Sequence, residues 1–279
     1  MRSIQSNIGN LSSFYKDMIS GTRRSADFLP LEEDLLTAEE EYEKLAVQSL
    51  LYTYPTDNEG KYSIKYTNIT KEDIISLYTY YMVRSKGRVI YDRILSLAEN
   101  GKCPYCGQRN VRTLDHFLPK SRYPMVAINP SNLIPCCSDC NKDKKDSSIN
   151  KNSDLIIHPY FDSNVDSTQW LFCVITTIDY SHQVITMNFQ VRNVTEFDLS
   201  LNERISNHFS LLNLNSLYKI EANEEFLNNL DSFEVLVRTS SKEEVRSHFE
   251  NIERRFSRRY KNSWQRAFYQ ALSQFYGNR

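Results

Sequence analysis

The chain has 279 residues and a mass of 32.8 kDa, enough to bury a real core and to divide into two or three lobes. Its formal net charge of -1 excludes a strong overall attraction to polyanions or anionic membranes, so any nucleic-acid surface must be a local patch. No stretch approaches the roughly 20 apolar residues of a membrane span, and the N-terminus "MRSIQSNIGNLSSFYKD" lacks the apolar run of a signal peptide. A cytoplasmic location is therefore expected, where clustered cysteines serve metals or catalysis rather than disulfides.

In chain order, "LPLEEDLLTAEEEYEKLAVQSLLYTYP" reads as a helix with an acidic first part, ending at Pro55. The next segment spaces Ile74, Leu77, Tyr78 and Tyr81, then Val89, Ile90, Ile94 and Leu97, for one helix face, with Gly87 as a break and Gly101 as a stop. A turn-rich cysteine region follows. "WLFCVITTIDYSHQVITMNFQV" then surrounds a polar turn with β-branched and aromatic residues, which predicts a β-hairpin. From about Leu199 the pattern returns to helices. The domains expected are a helical region over 1–98, a cysteine-bearing core over 99–160, and a hairpin-plus-helix region over 161–279.

Cys103 and Cys106, then Cys137 and Cys140, form two C-x-x-C pairs set in turns, a spacing that lets four thiolates close on one tetrahedral ion. Zinc is the simplest occupant. A redox dithiol would need only one pair, and iron could use the same ligands. Cys136 falls out of register with its neighbours and is left outside the set, while Cys173 lies in the expected hairpin as a small buried residue.

Between and beyond the pairs stand Asp115, His116, Lys120, Ser121, Asn132, Asn141, Lys142, Lys144 and Lys145. The ordered string "CPYCG…LDHFLPKS…NLIPCCSDCNKDKK" resembles the HNH endonucleases, whose ββα-metal core carries a D-H pair, a central Asn and a final His or Asn, flanked in the zinc-ribbon members by two C-x-x-C pairs. The resemblance implies an α+β fold: a ββα-metal core stabilised by a four-cysteine zinc ribbon, between an N-terminal helical region and a C-terminal hairpin followed by helices.

It also implies roles. His116 would be the general base that activates water, and Asp115 and Asn141 would hold a divalent cation. Asn132 would fix the His116 ring or the loop backbone. Asn141 stands where the family name has a second histidine, and an Asp and Asn oxygen pair suits Mg²⁺ or Mn²⁺. Two metals are thus expected, structural zinc on sulfur and a catalytic ion on oxygen. His158, in "IIHPYFD", is a candidate additional ligand, weighed against a partly buried histidine that caps the module.

Lys120, Ser121, Lys142, Lys144 and Lys145 are candidates for backbone phosphates, against the ordinary reading of a lysine run as a solvated helix face. A second basic patch, "ERRFSRRYKNSWQRAF", carries Arg254, Arg255, Arg258 and Arg259 among aromatics at spacings of four, as in one amphipathic helix. That patch would meet nucleic acid or pair with the acidic segment from Glu32 to Glu43. The function expected is a DNA endonuclease, and the alternative is a non-catalytic zinc-ribbon subunit binding nucleic acid or protein. Similar stand-alone HNH proteins belong to bacterial restriction, mobile-element and antiphage defence operons, often beside an ATPase subunit. No G-x-x-x-x-G-K-[ST] motif occurs here, so nucleotide-driven control would come from such a partner.

Overall fold

Glu32, Glu33 and Asp34 open a sixteen-residue helix, where carboxylates complement the positive end of the helix dipole. The computed structural model describes residues 2–5, 9–56, 69–144 and 149–277. They fall into two compact units, one from Ser3 to Asp162 and one from Ser163 onward that also takes in Arg2.

In the first unit, short helices α1 (Tyr15–Ile19) and α2 (Ser25–Phe28) precede that long helix, α3 (Glu32–Val47). α3 buries Leu35, Ala38, Glu39, Tyr42 and Ala46 on one face. It stops at Val47, well short of Pro55, because Ser49 turns left-handed with φ 59° and Leu51–Thr53 tightens into a 3-10 turn.

Helix α4 (Lys71–Ser76) starts at a capping box of Thr70 and Asp73 and runs on as a π-helical turn, Leu77–Met82. Gly87 separates it from α5 (Arg88–Leu95), and a Cβ there would lie 2.7 Å from the Met82 Cα, so only glycine fits this approach. The break re-phases the helix: Val89 is 73% exposed, and Tyr91 joins Ile94 on the buried face. Asn100 and Gly101 both take positive φ, which ends the helical stretch.

Strand β1 (Thr113–His116) pairs antiparallel with β2 (Leu133–Cys136), with Asp115 opposite Ile134 and His116 opposite Leu133. Helix α6 (Ser138–Lys144) follows at once and packs on β1. This ββα unit, with the cysteine knuckles at its edge, gives the α+β class expected from the sequence.

In the second unit, β3 (Leu171–Asp179) and β4 (Val184–Val191) form the hairpin, closed at a turn in which Gln183 takes φ 56°. Helices α7 (Leu199–Leu211), α8 (Leu214–Asn228), α9 (Leu230–Thr239), α10 (Lys242–Ser257) and α11 (Trp264–Gly277) follow, and α11 packs on both β3 and α10. The basic segment expected as one helix is broken between α10 and α11. Asn262 causes the break: its buried side chain accepts from Trp170 and Leu171 N–H and donates to the Thr168 carbonyl, tying the connector to the hairpin.

Candidate active site

Two knuckles bring Cys103, Cys106, Cys137 and Cys140 together, all buried, with their sulfurs within 4.8 Å of one another. Four soft donors in a closed set fit a structural zinc ion. Backbone N–H groups of Arg109 and Cys140 point at the sulfurs of Cys106 and Cys137 at 3.4 Å, the outer contacts that steady metal thiolates. An Arg109–Asp139 ion pair at 2.9 Å ties one knuckle to the other. Cys136 stays outside, its thiol donating to the Cys137 carbonyl, and Cys173 is buried in β3.

Asp115 is buried on β1, 5% exposed, and its side chain meets two partners among the described residues. The Tyr105 hydroxyl, carried between the first two cysteines, donates to its Oδ2 at 2.8 Å. The Lys144 ammonium lies 3.1 Å from the same oxygen and donates to the His116 carbonyl at 2.7 Å. Burial pushes the Asp115 pKa upward, while Lys144 and Tyr105 pull it back down. The buried carboxylate thus stands against a cation, and half-buried Asn141 lies one turn before Lys144 on α6; a carboxylate oxygen and an amide oxygen are donors of the hard kind that divalent ions take.

His116 points its Nε2 at the Ala127 carbonyl, 2.9 Å away. A carbonyl only accepts, so Nε2 carries the proton and Nδ1 carries the lone pair. The Tyr78 ring, set by the π-helical turn, meets the imidazole edge-on at 4.3 Å, and its hydroxyl donates to the Leu114 carbonyl. Burial, with the charges of Lys120 and Lys144, depresses the His116 pKa to about 3 and keeps the ring neutral.

Asn132, fully buried, works on the loop that holds Ala127. Its Oδ1 accepts from Leu118 N–H at 2.7 Å, and its Nδ2 donates to the carbonyls of Leu118 and Val126. It thus braces the loop backbone and not the ring itself. Ser131, next to it, donates to Glu43 on α3 at 2.7 Å, so the acidic helix supports the same loop.

His158 is enclosed by aromatics. Its Nδ1 accepts from Tyr160 N–H, its Nε2 meets the Tyr42 hydroxyl at 3.0 Å, and Phe117 and Phe161 pack on the ring. Both nitrogens are therefore engaged within the module. The lysines separate: Lys142 is exposed, Lys144 turns inward, and Lys120 lies over the Tyr78 ring beside half-buried Ser121. Lys145 lies outside the described residues. In the second unit Arg254, Arg255, Arg258 and Arg259 are all exposed. In the first, Glu32 pairs with Lys16, and Glu39 accepts from Leu11 N–H.

Tyr105 and Lys144, the partners of Asp115, are the site residues that motif reading misassigned or missed. Tyr105 sits inside "CPYC", where an aromatic reads as packing, and Lys144 sits in a lysine run.

A knuckle-bound ββα unit with this Asp–His strand defines the class: residues 103–147 match the HNH endonuclease family and form an HNH endonuclease domain. Over most of its length the chain is similar to protein ea31 of Escherichia phage lambda, 29% identical over 257 residues that span 85% of this chain and 84% of ea31. It is also similar to the Septu protein PtuB of Bacillus thuringiensis, 38% identical over 69 residues, 23% of this chain and 26% of PtuB. No solved structure matches. Among the described residues no helix is long and apolar enough to cross a membrane.

Proposed function

We propose that the chain is a metal-dependent endonuclease that hydrolyses phosphodiester bonds in DNA. The observation that supports this most is the state of His116: Nε2–H is anchored to a carbonyl, so Nδ1 is left as a neutral acceptor within an HNH domain. In this reading a water held at Nδ1 gives up its proton to the ring as its oxygen bonds to phosphorus in line with the departing oxygen. Ala127 holds the imidazole throughout, and the negative charge of the substrate offsets the two lysines that, together with burial, keep the resting ring unprotonated. Asp115 and Asn141 would hold Mg²⁺ or Mn²⁺, which when bound supplies charge neutralisation at the scissile phosphate. Lys120, Ser121 and Lys142, with Lys145 beyond them, are proposed to meet backbone phosphates near the site, and Arg254, Arg255, Arg258 and Arg259 to meet them from the second unit.

A second reading, a non-catalytic zinc-ribbon module, has one observation in its favour: Asp115 already has a counter-charge in Lys144. The experiment that separates the two is incubation of purified protein with supercoiled, linear and single-stranded DNA, and with RNA, under Mg²⁺, Mn²⁺ or chelator. Ion-dependent strand cleavage of DNA is expected. Binding without cleavage under every ion would leave the binding module. The setting we propose is cytoplasmic, in antiphage defence with an ATPase subunit. Support for it comes from the family resemblance and from similarity to proteins of a phage and a bacterium.

A further inference from the structure

Lys144 is only 8% exposed, and a buried ammonium is costly unless it is paired and hydrogen-bonded. Here it is both. It contacts Asp115 at 3.1 Å and donates to the His116 carbonyl at 2.7 Å, so it touches both residues of the D-H pair. The remaining donor to Asp115, the Tyr105 hydroxyl, is neutral and comes from a knuckle fixed by Cys103 and Cys106.

These two contacts differ in what a second cation would do to them. A divalent ion on the Asp115 oxygens would face the ammonium across a few ångströms of poorly screened space, where like charges repel strongly. It would leave the phenol undisturbed. Lys144 carries its charge on a four-carbon stem that can swing outward, whereas the Tyr105 ring is locked in the core.

We propose that Lys144 is an exchangeable counter-cation: it occupies the charge position at Asp115 until a divalent ion displaces its ammonium, which then faces the phosphodiester side of the site. This rests on the reading of Asp115 as an ion ligand. It also reconciles the one observation that favours a non-catalytic module with an endonuclease, because the Lys144–Asp115 pair becomes the resting state of the ion site.

The test measures binding, not cleavage. Mn²⁺ affinity is determined from the free-ion paramagnetic resonance signal for the unmodified zinc-loaded protein, Lys144→Met and Asp115→Asn. The methionine keeps the buried stem and removes the competitor, so its affinity should rise about tenfold, and Asp115→Asn should lose the site. Equal or weaker affinity in Lys144→Met, with the site still lost in Asp115→Asn, overturns the exchange and leaves the ligand reading standing. Binding that ignores Asp115→Asn, or no binding by any of the three, overturns both. Should Lys144→Met fail to fold, acetylation of Lys144 in the unmodified protein, followed by mass spectrometry, decides. Labelling should accelerate several-fold when Mg²⁺ is added, since the displaced amine is exposed, and unchanged protection overturns the proposal.

Discussion

The Tyr105 hydroxyl donates to the Asp115 carboxylate at 2.8 Å, so a residue held between two sulfur ligands orients the aspartate of the D-H pair. A hydrogen bond therefore links the cysteine knuckle to the candidate cutting site. Whatever fixes the knuckle also fixes the carboxylate.

Removing that hydroxyl separates support from stability. Tyr105→Phe keeps the ring in its buried slot and deletes only the donor, which for a hydrogen bond to a charged group is worth about 1.5–3 kcal/mol. The expected outcome is full zinc content and a native circular dichroism spectrum, with DNA cleavage lowered by roughly 10- to 100-fold. Cleavage at the unmodified rate would show that Asp115 does not depend on the knuckle.

A zinc ion closed by the four sulfurs would carry folding energy. Structural zinc contributes on the order of 10 kcal/mol in small modules, so Cys103→Ala or Cys140→Ala should abolish tight metal and unfold the first unit's ββα region at ambient temperature. Elemental analysis with limited proteolysis checks this: about one zinc per chain is expected in the unmodified protein, from one four-sulfur set. Protein that is folded, protease-resistant and free of zinc and iron would contradict it.

Glu39 gives a pH signature away from the site. Burial raises its pKa from 4.5 to about 7, against the opposing pull of the Leu11 N–H. A carboxyl whose folded pKa lies above its unfolded value favours the fold most when protonated, so that contribution is complete below about pH 4.5 and is lost as the pH rises through about 7. Glu39→Gln keeps the acceptor for Leu11 and removes the titration. The stability of the variant relative to the unmodified protein should therefore grow between pH 4.5 and 7 by up to about 3 kcal/mol, read from urea unfolding. A pH-independent difference would place the Glu39 pKa outside this window.

The legible parts of this protein were those that local chemistry dictates. C-x-x-C pairs, a D-H step and an Asn in order need no tertiary information, and β-branched runs around "DYSHQ" make a hairpin wherever they sit. The parts that escaped depend on packing. Lys144 reads as one more member of a solvated lysine run until α6 is laid on β1 and its stem turns inward. The aromatic spacing of Phe256, Tyr260, Trp264 and Phe268 suits one helix, yet Asn262 satisfies hairpin N–H groups nearly a hundred residues away in sequence and breaks it. Ser49 ends α3 early through a positive φ that composition does not announce.

The central claim is that His116 is the base of a DNA-cutting site, and cleavage of supercoiled plasmid by His116→Ala tests it most directly. The ring is anchored through Nε2 and lies outside the sulfur set, so the variant should keep its zinc and bind DNA as before. Its single-turnover rate should fall by roughly 10²- to 10⁴-fold, the usual worth of a positioned general base, and should climb with pH as hydroxide takes the place of the missing base. A His116→Ala protein, purified free of contaminating nuclease, that cuts at the unmodified rate from pH 6 to 9 would contradict the account.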